Sequence, residues 1–81
     1  MGRATPASAA ALASGDDLKT WWPEVVGWET LNASIKINSD RPDVSTPFYM
    51  VGTALPPDYD PNRVIIIFDA GNVVVRTPVV G

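Results

Sequence analysis

The chain has 81 residues with six basic and nine acidic side chains, and it contains neither histidine nor cysteine. A chain this short fits one small domain whose core rests on a few large side chains, and the lack of cysteine excludes a disulfide scaffold and a thiolate metal site. A net charge of −3 argues against nucleic acid as a partner, since neutralising phosphates needs a basic stripe, and no stretch approaches the roughly 18 apolar residues that argue for a membrane span.

Residues 1–18 are small and polar, and their composition predicts a disordered tail. The Ala-rich run from Ala9 to Ala13 is shorter and less apolar than the core of a secretory signal, which needs about 7–15 apolar residues. The ordered domain is expected over 19–81. It opens with Trp21, Trp22 and Trp28, of which Trp22 is expected in the core and the other two at its margin. An exposed aromatic patch that binds a ligand is the weaker reading of these rings. Trp22-Pro23-Glu24-Val25-Val26-Gly27 reads as an extended segment closed by a turn glycine, because Pro23 pushes Trp22 out of the helical region. A helix is predicted from Glu29 to Asp40. Thr30, Ala33 and Ile37 recur at helical spacing, with Leu31 and Ile35 as a second pair, and Arg41-Pro42 stops it.

Ser45 to Val51 reads as a strand in which Pro47 lacks a ladder donor. Val64-Ile65-Ile66-Ile67-Phe68 is the strongest strand signal, apolar enough to be buried on both faces. Asp69 to Asn72 reads as a turn and Val73 to Arg76 as a third strand folded back on the second, after which Thr77 to Gly81 closes the chain. Between the first two strands lies Gly52 to Arg63, a long connection containing Pro56, Pro57 and Pro61. The prolines restrict the free segment and predict a stiff, exposed loop that loses little entropy on binding. No helix fits inside it. If the flanking strands pair in parallel, the loop itself is the crossover that a helix usually supplies.

Enzyme activity is not expected. Without histidine or cysteine the commonest general bases and nucleophile pairs are missing, and Asp58 and Asp60 sit on a loop beside no evident pocket. Phosphate-binding glycine patterns are absent. Asp58, Asp60, Asn62 and Asp69 approach the spacing of a calcium loop, but Arg63 stands where that loop needs glycine. No metal or other cofactor is therefore expected. Asn32-Ala33-Ser34 matches a glycosylation acceptor but falls inside the predicted helix, and Pro56-Pro57 is too short for a polyproline ligand.

Several short motifs together resemble one family. Trp22-Pro23-Glu24-Val25-Val26-Gly27 resembles the W-P-E-[LV]-V-G opening of the potato inhibitor I proteins, which include the cereal subtilisin and chymotrypsin inhibitors. Arg41-Pro42-Asp43 resembles their K-P-[ED] at the end of the helix, and Val51-Gly52-Thr53 the V-G-[TS] that opens their binding loop. Asp58-Tyr59, Pro61-Asn62-Arg63-Val64, Phe68-Asp69 and the ending Pro78-Val79-Val80-Gly81 follow in order, with no gap from Trp22 to Gly81.

The resemblance implies an α+β fold, with one helix packed on a small mixed sheet and an extended loop protruding from it. It implies a monomeric serine protease inhibitor that meets a subtilisin- or chymotrypsin-like enzyme as a substrate would. Thr53, Ala54, Leu55, Pro56, Pro57, Asp58, Tyr59 and Asp60 would then form the protease-binding loop. The scissile bond would lie between Pro57 and Asp58. Arg63 would support the loop, donating from its guanidinium fork to loop carbonyls or to the Asp58 carboxylate. Separately from the resemblance, the lack of a convincing secretory signal leads to the expectation of the cytosol or seed and storage tissue, with release on wounding. Pro47, which interrupts the strand before the loop, departs from the family pattern, and so do four positions further on. Pro56 replaces a threonine, Pro57 stands where Met, Leu or Ala is common, Asp60 stands where a basic residue is common, and Ile65 replaces a second supporting arginine. The alternative reading, carried by Pro56-Pro57, is a non-inhibitory relative that acts as an interaction or storage protein.

Overall fold

A computed structural model describes residues 18–81, so the tail expected over 1–18 lies outside the described residues except for Leu18. The helix forms where the spacing places it, as α1, Thr30–Asp40. Thr30, Ala33 and Ile37 are buried on its inner face. Leu31 and Ile35, the second pair, are instead 58% and 59% exposed, because α1 has a single packed face and these residues point away from it. Glu29 at the N-cap makes no side-chain capping bond. Asn72, from a distant turn, serves in its place: its main-chain oxygen accepts the Thr30 N–H at 3.2 Å and its Oδ1 accepts the Thr30 hydroxyl at 2.7 Å. Asn72 adopts φ 65°, a left-handed conformation that asparagine tolerates better than most side chains. At the other end the Arg41 N–H still reaches the Ile37 carbonyl at 2.7 Å, and Pro42 ends the helix.

Two short strands follow, β1 (Phe48–Met50) and β2 (Ile66–Phe68). They pair in parallel with Phe48 opposite Ile66 and Met50 opposite Phe68, so the connection between them is indeed a helix-free crossover. The pairing extends backwards as a parallel bridge from Ser45 to Arg63. Pro47 interrupts the strand expected over Ser45 to Val51 without interrupting the sheet, since its carbonyl accepts the Ile66 N–H at 2.9 Å. The third strand expected at Val73 to Arg76 is reduced to bridges. Val74 pairs antiparallel with Phe68, and Val73 with Glu29. Val74 also exchanges hydrogen bonds with Gly27 and Trp28, both at 2.8 Å, so the segment is shared between two neighbours. Antiparallel bridges from Val64 to Val80 and from Trp21 to Val79 bring in the C-terminal segment, and the small sheet is mixed.

The opening segment also departs from expectation. Pro23–Val25 is a single 3-10 turn with proline at its start, where the missing N–H costs nothing. Gly27 follows at φ 91° and turns the chain as expected.

The core comprises Trp22, Val25, Ala33, Ile37, Val44, Val64, Ile66 and Val74. Each large side chain withdrawn from water contributes about 1.5–3 kcal/mol. Trp22 is wholly buried, whereas Trp21 and Trp28 are 56% and 40% exposed. Burial in the second strand alternates instead of covering both faces: Val64 and Ile66 are buried, and Ile65 and Ile67 only half so. The half-buried pair belongs to the face beneath the long loop.

Candidate functional site

The loop leaves β1 through a tight hinge. The Val51 N–H still pairs with the Phe68 carbonyl at 2.8 Å, and the Thr53 N–H turns back to the Met50 carbonyl at 3.0 Å. Gly52 between them has φ 90°. A Cβ there would meet nothing within 4 Å, so glycine is required for its backbone conformation and not for space.

The return hinge is built by Asp60. Its carboxylate accepts the Asn62 N–H at 2.9 Å and its carbonyl accepts the Arg63 N–H at 3.2 Å, an aspartate turn of the kind that Asp-Pro-Asn favours. The Asn62 carbonyl then accepts the Ser45 N–H at 2.8 Å, and the Val64 N–H reaches the Ser45 carbonyl at 2.8 Å. Asp60 is half-buried. It belongs to the scaffold of the loop, a role that the resemblance, which grouped it with the enzyme-facing residues, does not indicate.

Between these hinges the chain stands clear of the body. Thr53, Ala54, Leu55, Pro57, Asp58 and Tyr59 are exposed, and Pro56 is half-buried. Among the described residues, the backbone of Ala54, Leu55, Pro56 and Pro57 has no hydrogen-bond partner. Tyr59 is 72% exposed, with its ring beside Gly81.

One side chain ties the loop to the body. Arg63 donates from Nε to the Gly81 main-chain oxygen at 2.6 Å and from Nη2 to the Asp58 main-chain oxygen. Of the two acceptors that the resemblance allows at Asp58, the backbone carbonyl is engaged and the carboxylate is not. The Gly81 N–H returns a bond to the Arg63 carbonyl at 2.8 Å, so the bracing arginine is itself fixed by the C-terminal segment.

Beneath the loop is a cavity of about 450 Å³, floored by Ile65, Ile67 and Val79 and bordered by Leu55, Pro57 and Arg76. Ile65 occupies the position of the family's second arginine and places only hydrocarbon here. The first half of the loop is therefore held by chain stiffness, and the second half by Arg63.

A second polar cluster, unforeseen from the sequence, secures the platform. Arg41, read from the sequence only as a helix stop, is 5% exposed. It donates to both carboxylate oxygens of Asp43, at 2.8 and 2.7 Å, and to the Lys19 carbonyl at 2.9 Å. The guanidinium holds the Asp43 carboxyl below its usual range, chiefly through these hydrogen bonds. Nearby, Trp22 donates from Nε1 to Asp40 at 3.0 Å. Burial alone would raise the Asp40 pKa, but hydrogen bonds from Trp22 and Lys36 outweigh it and the net shift is downward. Among the described residues no group of histidine, cysteine and carboxylate side chains is arranged to hold a metal ion.

Comparison with known proteins agrees with this architecture. The Potato inhibitor I family matches residues 14–81. Subtilisin inhibitor 1 of Phaseolus angularis is 37% identical over 71 residues, covering 88% of this chain and 77% of that protein. Subtilisin-chymotrypsin inhibitor CI-1B of Hordeum vulgare is 40% identical over 63 residues, covering 78% of this chain and 71% of that protein. Among solved structures, a bitter gourd trypsin inhibitor superposes with a TM-score of 0.76 at 28% identity, covering 78% of this chain and 93% of the other. With the family matched over residues 14–81 and these relatives 37% and 40% identical, the chain belongs to the Potato inhibitor I family.

Proposed function

We propose that this serine protease inhibitor acts through the loop from Thr53 to Asp60, with Pro57–Asp58 as its reactive bond. Family membership supplies the activity, and the relatives are inhibitors of subtilisin and chymotrypsin by name. The enzymes proposed as targets are accordingly serine proteases of these types. The observation that supports the loop as the site is its division of labour: the backbone of Ala54 to Pro57 has no partner among the described residues, while Arg63 holds the next residue by its carbonyl.

That geometry accounts for inhibition without a catalytic group. The exposed backbone offers main-chain hydrogen bonds to a cleft, as an added strand does, and the loop is already stiff, so little entropy is lost on docking. The enzyme's serine attacks the Pro57 carbonyl carbon, the bond to the Asp58 nitrogen breaks, and that nitrogen leaves as an amine. Arg63 keeps Asp58 attached to the body. The amine therefore stays beside the acyl-enzyme at a high effective concentration and re-forms the peptide bond. Departure of the product side, which hydrolysis requires, is suppressed.

The test uses the Pro57→Met variant, which restores an N–H and a side chain common at this position. It should slow both subtilisin and chymotrypsin reversibly, and mass spectrometry of the recovered protein should show one cut, between residues 57 and 58. Digestion at several sites, or no slowing of either enzyme, would reject the loop as the inhibitory site.

A further inference from the structure

We infer that the natural target is a serine endopeptidase that cleaves after proline. This rests on the assignment of Pro57–Asp58 as the reactive bond and narrows the enzyme class that the bond addresses. The chain bends at Pro57 and Asp58, and Leu55 and Pro57 are both exposed on the approach to that bend. Leu55 carries an N–H and a carbonyl, and neither has a partner among the described residues. Pro57 offers only its carbonyl, because its nitrogen carries no hydrogen. An enzyme that takes Met, Leu or an aromatic side chain in its primary pocket also receives the N–H of that residue on a backbone carbonyl, as strand addition requires. Against this loop such an enzyme keeps a buried carbonyl without a donor and a pocket that a pyrrolidine ring only partly fills. An enzyme that cleaves after proline meets neither difficulty. Its own substrates cannot supply that N–H, so its cleft is built without the need for it, and its pocket is shaped for the ring.

The neighbours of Pro57 agree with this choice. Pro56 is half-buried and Pro57 exposed, so of the two rings, both of which border the cavity beneath the loop, the second is the more accessible. Proline at 57 also restricts Pro56 to extended backbone. Both rings thus fix the approach to the reactive bond in one shape, which stiffens the half of the loop that Arg63 does not hold.

The experiment compares the wild-type chain, Pro57→Met and Pro57→Ala. The enzymes are subtilisin and a post-proline serine endopeptidase that digests intact proteins, so that a folded inhibitor can reach its cleft. Each enzyme is assayed on a chromogenic peptide with its preferred residue before the cut. The wild type should inhibit the post-proline enzyme with a Ki at least about 100-fold below its Ki for subtilisin, a ratio within reach of pocket fit combined with one unpaired polar group. Pro57→Met should reverse the order. Pro57→Ala, which regains the N–H but loses the ring, should weaken against the post-proline enzyme. Wild type that inhibits subtilisin as tightly as Pro57→Met does would overturn the inference. So would a wild type inert towards the post-proline enzyme while Pro57→Met inhibits subtilisin, a result that leaves the loop assignment standing. Inertness of all three proteins towards both enzymes would remove the loop assignment as well.

Discussion

Replacing Arg63 by methionine keeps a stem of similar bulk and deletes both hydrogen bonds of the guanidinium. The bond from Nε to the Gly81 oxygen, at 2.6 Å, is partly buried, and a charge-assisted bond of this kind contributes about 1.5–3 kcal/mol. The Asp58 oxygen is exposed, so water replaces its lost partner and the loss there adds little to global stability. Unfolding in urea, followed by far-UV circular dichroism of α1, should therefore show a loss of about 2 kcal/mol. The effect on inhibition has a different origin. Without the tether at Asp58, at least one loop residue regains backbone freedom, and ordering it again on the enzyme costs about 1–2 kcal/mol. That raises the Ki by roughly 5- to 30-fold, read against subtilisin in a Pro57→Met background so that the measurement does not depend on the natural target. Cleavage at 57–58 should also accelerate, because the leaving amine is no longer retained. Loss of stability with unchanged Ki and unchanged cleavage would show that Arg63 supports the domain and not the loop, and the reasoning would fail.

Arg41→Ala strips a nearly buried guanidinium from the Lys19 carbonyl and from Asp43, whose carboxylate stays half in water, and should cost about 2 kcal/mol, visible as a fall in Tm of about 8–16 °C. Asn72→Ala keeps the main-chain oxygen that accepts the Thr30 N–H but loses the bond from the Thr30 hydroxyl and strains a positive φ, and should cost about 1–2 kcal/mol; Asn72→Gly should recover the backbone part in thermal unfolding but not the hydroxyl bond. Asp43 and Asp40 both have pKa values depressed in the folded state. Their contribution is thus fully present above the ordinary carboxylate range and is lost as pH falls through the lower folded values. Urea midpoints should decline below about pH 5, and Asp43→Asn should flatten part of that decline.

The fold was legible where a residue type acts through its own backbone or a local period. Pro42 ends α1, Gly27 turns the chain at positive φ, and Thr30, Ala33 and Ile37 share one buried face. It was less legible where the outcome depends on what lies opposite. Leu31 and Ile35 fit a helical stripe as well as the core residues do, and only the absence of a second layer leaves them in water. Val73 to Arg76 has the composition of a strand, yet Val74 gives both its main-chain bonds to Gly27 and Trp28 while Val73 and Val75 bond to Asp69 and Ile67 on the other side, so no continuous ladder forms. Val64 to Phe68 reads as buried on both faces because five apolar residues in a row carry no information about a loop that stands off one face and leaves a cavity beneath it.

The same distinction separates the parts of the site. Proline rigidity and the hinge at Gly52 follow from local chemistry and were readable. The tasks of Asp60, Arg41 and Asn72 depend on partners that the fold brings near: an N–H two residues on, a carboxylate with a distant carbonyl, and the bare start of a helix. Arg63 lies between these cases, since the need for a brace is implied by resemblance, while the choice of the Asp58 carbonyl over its carboxylate is set by where the Gly81 oxygen fixes the guanidinium. Ile65 completes the logic. With hydrocarbon at Ile65, none of the cations among the described residues bonds a carbonyl before the reactive bond, and stiffness there has to come from the chain itself. Two consecutive prolines supply that stiffness. They also remove the N–H that a common protease would bind, so the feature that replaces the missing brace is the one that selects the enzyme.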